Sequence, residues 1–267
     1  MINTDARVLI YDIEVSPERV WAYPGKRINE AIKLETISDQ FTLSVAYCWL
    51  DEYQKKGKKA VQYIDLSSFP EYKKNMEDDR ALSLAIWHLF DKADVLVGHY
   101  SINFDTPKMV ARFMYHDLGM PSSFEQIDTK RMYSKVGLPS KKLDEIARYF
   151  DMDRKEGSHS DYWLRCIGGD EKAWKLMKNY NIQDVAMTAD IMLKVFPYYA
   201  PPVSLAKYNS AGKLLSPCGS ENYQSRGVSA TNKGFRKRYQ CQVTAGWFPG
   251  TKYFKTREEA LAAPKGD

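Results

Sequence analysis

Val8-Leu9-Ile10-Tyr11-Asp12-Ile13-Glu14-Val15 opens like a strand buried on both sides and closes on two carboxylates. A strand turns successive side chains to opposite faces. Val8, Ile10, Asp12 and Glu14 therefore share one face, and Leu9, Tyr11, Ile13 and Val15 the other. Apolar residues on both faces at the start mark a central strand covered above and below. Asp12 and Glu14 then stand side by side at its C-terminal end, where open α/β sheets place their ligands. Neighbouring carboxylates repel unless a proton or a cation sits between them. A strand that simply emerged into solvent would give the same pair, so the dipeptide alone decides nothing.

Outward from this strand, residues 42–50, 60–66 and 94–98 are rich in β-branched and aromatic residues and read as further strands. Residues 80–92, 107–118, 142–150 and Glu171–Val195 carry helical periodicity. Several strands precede the first long helix. This order predicts a hairpin-rich opening followed by β–α units, a mixed α/β domain.

Two further acidic residues occupy conspicuous places. In Val97-Gly98-His99-Tyr100-Ser101-Ile102-Asn103-Phe104-Asp105-Thr106-Pro107, Asp105 stands where a helix begins. Asp ahead of a first-turn Pro is a good N-cap, and its second oxygen is available to a metal. In Glu171–Val195, Ala173, Met177, Tyr180, Asp184, Met187, Ile191 and Val195 recur at spacings of three and four. That stripe faces a core, yet Asp184 lies in its middle. A buried lone carboxylate costs several kcal/mol, so Asp184 needs an Arg, a set of donors or a metal. Tyr180 lies one turn earlier on the same face. Four converging carboxylates would bind hard cations such as Mg²⁺ or Mn²⁺. Two ions about 4 Å apart can activate a water and stabilise the leaving oxygen of a phosphodiester.

Composition narrows the classes. With 44% hydrophobic and 27% charged residues the chain is globular. No stretch approaches the length of apolar sequence needed to span a bilayer, so no membrane role is expected. Met1–Arg7 lacks the build of a signal peptide, which predicts a cytoplasmic protein. Cys48, Cys166, Cys218 and Cys241 are scattered without a close pair, which argues against a disulfide scaffold. The net charge of +5 hides a division: residues 201–267 hold 11 Lys and Arg against 4 Asp and Glu, leaving residues 1–200 slightly acidic. Pro197-Tyr198-Tyr199-Ala200-Pro201-Pro202 cannot continue the preceding helix and sets the expected boundary, with a domain over 1–200 and a basic module over 201–267.

In their order, Asp12-Ile13-Glu14, Asn103-Phe104-Asp105 and Tyr180-Asn181-Ile182-Gln183-Asp184 resemble the three motifs of DEDD 3′–5′ exonucleases of the ribonuclease H-like superfamily. Tyr180 is similar to the tyrosine of the DEDDy branch. The resemblance covers roughly residues 6–196. It implies a mixed sheet with one antiparallel strand, flanked by helices, with carboxylates meeting at one edge. It also implies two Mg²⁺ or Mn²⁺ ions on Asp12, Glu14, Asp105 and Asp184, with Tyr180 orienting the attacking water. The neighbouring Ile13, His99, Asn103 and Phe104 would meet the substrate. Tyr100 departs from the pattern, standing where many relatives have Asn after Gly-His. His99 and His159 lie in loops without His-to-His metal spacing, so hydrogen-bonded or solvated histidine is the expectation for both.

The tail offers two further resemblances. Cys218-Gly219-Ser220 and Cys241 are similar to half of a zinc ribbon, but the remaining ligands would fall at Leu215 or Ser216 and at Thr244. Two cysteines of four do not make a closed zinc site, so zinc is not expected. Arg226-Gly227-Val228-Ser229, residues 238–243 and residues 253–260 are similar to small AP2-like DNA-binding modules, a three-stranded sheet with a helix. Thr256 with Glu259 is a capping box before Ala260-Leu261. Arg226, Lys233, Arg236, Lys237 and Arg238, interleaved with Phe235 and Tyr239, suit phosphate contact and stacking; a solvated hairpin is the plainer alternative. Together these readings predict a metal-dependent 3′–5′ exonuclease acting on DNA, single-stranded or at 3′ ends, with any polymerase or replication partner unknown. An RNA-trimming enzyme, a free-standing phage-encoded nuclease and a catalytically silent nucleic-acid-binding protein share parts of this pattern. An intact set of four carboxylates plus Tyr180 argues against the silent form.

Overall fold

The computed structural model describes residues 2–23, 32–152, 161–198, 203–208 and 214–266. The expected boundary at Pro201-Pro202 and the loop residue His159 lie outside them. Along the chain, β1 (Val8–Val15) leads into a hairpin of β2 (Arg19–Tyr23) and β3 (Ile32–Ser38), then β4 (Thr42–Trp49), α1 (Leu50–Lys56) and β5 (Gln62–Asp65). Next come α2 (Arg80–Asp91), β6 (Val95–Gly98), α3 (Asp105–Tyr115), β7 (Glu125–Asp128), α4 (Thr129–Lys135), α5 (Leu143–Tyr149), α6 (Tyr162–Ile167) and α7 (Glu171–Val195). The tail adds β8 (Tyr223–Thr231), β9 (Gly234–Cys241), β10 (Trp247–Pro249) and α8 (Arg257–Ala262).

Five strands form one mixed sheet in the order β5-β4-β1-β6-β7. β6 runs parallel to β1 and β7 parallel to β6, while β4 is antiparallel to both its neighbours. This is the sheet that the exonuclease resemblance implies. β1 lies at its centre, and its alternation feeds two cores. Val8 and Ile10 join Val185, Ala189 and Met192 of α7 on one face. Leu9, Tyr11 and Ile13 join Ile86 and Phe90 of α2 and Met109 and Phe113 of α3 on the other.

β1 and α7 end where their periodicity predicts. α7 is started by Asp170, whose carboxylate accepts from the Lys172 and Ala173 amides at 2.8 and 3.2 Å. Residues 42–50 do not stay extended to the end, because Leu50 already opens α1. Asp105 is not a cap. It is the first residue of α3, preceded by Phe104, and that N-terminus has no side-chain cap. Its carboxylate instead accepts from the Ile13 amide.

The tail is a three-stranded antiparallel sheet, β10-β9-β8, backed by α8. Thr256 and Glu259 form the expected capping box. The ring of Tyr223 packs edge-on against those of Tyr239 and Phe248. All three continue the core that contains Ile2, Val8 and Leu205. The Asn3 amide also donates to the Cys218 carbonyl. The module is therefore docked on the body by apolar burial as well as tethered to it. Cys218 and Cys241 are buried with sulfurs 3.5 Å apart, and Ser216 Oγ lies 3.2 Å from Cys218 Sγ. Burial pushes the Cys241 thiol up, but hydrogen bonds from Ser216, Thr244 and the Val243 amide outweigh it and hold the thiol at about 7. Among the described residues, no helix is long and apolar enough to cross a membrane.

Candidate metal centre and cleft

Asp12 and Glu14 project from the end of β1, opposite Ala46 and Ser44 of β4. α7 packs against both strands and brings Asp184 to them. Ligand oxygens of the three carboxylates lie within 4.8 Å of one another. At that separation two unit charges repel by roughly 3 kcal/mol with an effective dielectric near 20. Asp184 is only 7% exposed, so solvent screens it poorly. Two further carboxylates are among its neighbours. An all-oxygen, strongly anionic set of this kind fits a hard divalent cation such as Mg²⁺ or Mn²⁺.

Asp105 is not in that three-residue group. It is 4% exposed, and its Oδ1 accepts from the Ile13 amide at 3.2 Å, between the two acids of β1. Burial pushes its carboxyl up to about 7; the charge of Asp128 adds to this, while the Ile13 amide opposes it. Burial, with the charges of Asp105 and Asp12, likewise holds the Tyr11 hydroxyl well above the usual phenol range. That hydroxyl lies 2.8 Å from Thr106 Oγ1. Tyr180 is half-buried on α7, with its ring edge-to-face against Trp163 at 6.1 Å.

A cleft of about 760 Å³ opens beside the acids, lined by Asp12 and Asp184 and also by His99, Tyr100, Lys130, Lys141 and Lys142. The loop before α3 is shaped by two backbone demands. A Cβ on Gly98 would sit 2.6 Å from Ser101 Cβ, so only glycine fits there. Tyr100 takes φ 67°, a left-handed conformation that a bulky residue adopts only when its surroundings impose it. The imposing contact is Asp128, whose Oδ1 accepts from the Tyr100 amide at 3.1 Å and from the Lys130 amide at 2.9 Å. The Tyr100 ring is thereby presented to the cleft, 41% exposed, with the Lys130 ammonium 3.7 Å from its centroid.

The other expected substrate contacts are placed unequally. Phe104 and Asn103 are exposed on the same loop. His99 Nδ1 lies 3.1 Å from Thr129 Oγ1, and its ring stacks on Tyr133. The Ile13 side chain belongs to the second core, so it is the Ile13 amide that reaches the site. Asp128, Trp163, Asn181 and the three cleft lysines are additions that the sequence reading did not contain. Only Asn181, next to Tyr180 within the third motif, carried a local signal.

On the tail, Arg226, Lys233 and Arg238 are exposed, with the Arg238 guanidinium 5.5 Å from the Trp247 ring centre. Arg236 and Lys237 are not free for phosphate. Arg236 donates to the Gly250 carbonyl and to the Tyr253 hydroxyl. Lys237 is buried and donates to the carbonyls of Ala263 and Pro264 beyond the end of α8. The strand period accounts for Lys237, which faces inward with Tyr239 and Cys241; Arg236 faces outward with Arg238 and is engaged there by Gly250 and Tyr253.

The fold and the acidic group together define a nuclease-type α/β protein with a candidate divalent-cation site. The chain belongs to the ribonuclease H superfamily, whose model (RNase_H superfamily) matches residues 40–196. Its structure is similar to that of the family B DNA polymerase from the hyperthermophilic archaeon Pyrobaculum calidifontis, with a TM-score of 0.50 and 19% identity. The match covers 76% of this chain and 25% of the polymerase, so the chain spans a quarter of that protein's length. At that identity the likeness shows the fold alone. No curated protein matches the chain.

Proposed function

We propose that the protein is a DEDDy-type 3′–5′ exonuclease that hydrolyses phosphodiester bonds at the 3′ ends of DNA. The observation that carries this reading is the convergence of Asp12, Glu14 and Asp184 at the end of the central strand, within 4.8 Å of one another. These three carboxylates, with Asp105 beside them, would hold two Mg²⁺ or Mn²⁺ ions. When bound, such ions lower the pKa of a water and stabilise the leaving oxygen. Tyr180, one helical turn before Asp184, would orient the attacking water through its hydroxyl. Tyr100 and Phe104 offer exposed ring faces for unpaired bases, and the cleft lysines offer charge for phosphates. On the tail, Arg226, Lys233 and Arg238 with Trp247 form the surface best suited to a longer strand.

The test is digestion of end-labelled single- and double-stranded DNA and RNA with Mg²⁺, Mn²⁺ or EDTA. Stepwise loss of nucleotides from 3′ ends of DNA, abolished by EDTA, is the expected result. Internal cleavage, 5′ polarity or metal-independent cleavage would overturn the reading. Trimming of RNA alone would keep the mechanism and change the substrate.

A further inference from the structure

Two carboxylates of the acidic group are each held by a donor that carries no charge. Asn181, fully buried on α7, donates from Nδ2 to Asp12 Oδ2 at 2.7 Å and to the Asp12 carbonyl at 3.3 Å. Its Oδ1 accepts from Ser44 Oγ at 3.2 Å. A carboxylate only accepts, so this pair of contacts also fixes which way the amide points. Trp163, on α6, donates from Nε1 to Glu14 Oε2 at 2.8 Å while its ring meets Tyr180 edge-on. Three elements outside β1 therefore set the rotation of its two acids: Ser44 of β4 through Asn181 of α7, and Trp163 of α6.

The chemical type of these donors matters. Arg or Lys in the same places would orient the carboxylates equally well but would cancel the charge that draws a cation. An amide and an indole each engage one oxygen and leave the net charge unchanged. A carboxylate has about four lone-pair positions, and the Asn181 or Trp163 bond takes one of them. Outer partners of this kind orient ligands and raise metal affinity.

We propose that Asn181 and Trp163 are positioning residues for cation binding, orienting Asp12 and Glu14 without neutralising them. This rests on reading Asp12 and Glu14 as metal ligands. The test is Mn²⁺ binding, by calorimetry, to EDTA-stripped full-length protein without nucleic acid. The wild type is compared with Trp163→Phe, which keeps a ring against Tyr180 and removes the N–H, and with Asn181→Leu, which keeps the volume and removes the amide. Each variant is expected to bind Mn²⁺ about 10–100-fold more weakly, within the range for lost outer partners. Cleavage should fall at low Mn²⁺ and recover at saturating Mn²⁺. Mn²⁺ affinity within twofold of wild type in the folded variants would overturn the proposal, even where Asn181→Leu lowers the melting temperature. If Asn181→Leu does not fold, Trp163→Phe decides by itself. A wild type that binds no Mn²⁺ would instead overturn the metal-site reading on which this inference rests.

Discussion

The Ile13 amide donates to Asp105 Oδ1 at 3.2 Å, tying the first residue of α3 to β1 between the two acids of that strand. Burying the Asp105 carboxylate to make this bond has a cost that pH reveals. Burial raises the Asp105 carboxyl to about 7, far above the ~3.9 of an unfolded chain. A carboxyl raised on folding favours the folded state while protonated. Its contribution is complete below about pH 4 and is lost as pH rises through 7. Asp105→Asn should therefore melt higher than wild type at pH 8 in EDTA, with the gain shrinking toward pH 4. Thermal melts across pH check this; an equal difference at both ends would refute it.

Removing charge from the acid cluster should separate activity from stability. Asp12→Asn and Asp184→Asn should each abolish metal-dependent cleavage yet fold, and in EDTA they should melt at or above the wild-type temperature, because each relieves like-charge repulsion. Cleavage at wild-type rate in either variant would remove that residue from the site.

Tyr180→Phe should slow turnover by roughly 10²–10⁴-fold, the range for a positioned proton-transfer group. Mn²⁺ affinity should stay at the wild-type value, in contrast to Trp163→Phe. Single-turnover rates with a calorimetric titration distinguish the two effects.

β1 and α7 were legible from periodicity alone, and with them three of the acids. What could not be read depends on distant parts of the chain. Trp163 reaches Glu14 across 149 residues, and no local spacing announces that bond. β7 is four residues, Glu125–Asp128, three of them polar, and becomes a strand through its parallel register with β6. The β2–β3 hairpin leaves Trp21, Tyr23 and Leu34 exposed, so it lacks the one-sided burial that makes a strand visible in sequence. Lys237 reads locally as part of a basic patch, and the Ala263 and Pro264 carbonyls that hold it lie just past α8, 26 and 27 residues away.

A second carboxylate should show the opposite pH behaviour to Asp105. Asp79 is buried, which alone would raise its pKa, but bonds from Arg112, the Thr42 amide and His116 outweigh burial and hold it below the usual range. The Arg112 Nε and Thr42 contacts are 2.9 and 2.7 Å. A carboxyl depressed on folding stabilises the protein above about pH 4 and loses that contribution as pH falls through its folded pKa. Asp79→Ala should cost about 3–5 kcal/mol at pH 7, the usual penalty for stranding one partner of a buried pair. The difference from wild type should narrow in acid, which urea titrations at pH 7 and pH 3 would measure.

The tail cations differ in exposure. Arg226, Lys233 and Arg238 are exposed, Arg238 with one contact to the Arg226 carbonyl at 3.3 Å, whereas Lys237 is buried among carbonyls and Arg236 is half-buried and held by Gly250 and Tyr253. Cutting the chain before the module would bare the apolar side chains of the shared core, so point substitutions are the cleaner experiment. If the exposed three meet phosphates, replacing them by Glu should weaken binding of long DNA and make its salt dependence shallower, by about one unit of slope per lost contact. Cleavage of short oligonucleotides should be unchanged, because the acids of β1 and α7 are untouched. Lys237→Glu should behave differently: a carboxylate set among the Ala263 and Pro264 carbonyls would repel them and lower the melting temperature before any binding is lost. Equal affinity and equal salt slope in the triple variant would assign the face to some other task, and an unaltered melting temperature in Lys237→Glu would show that its amine does not hold the end of α8.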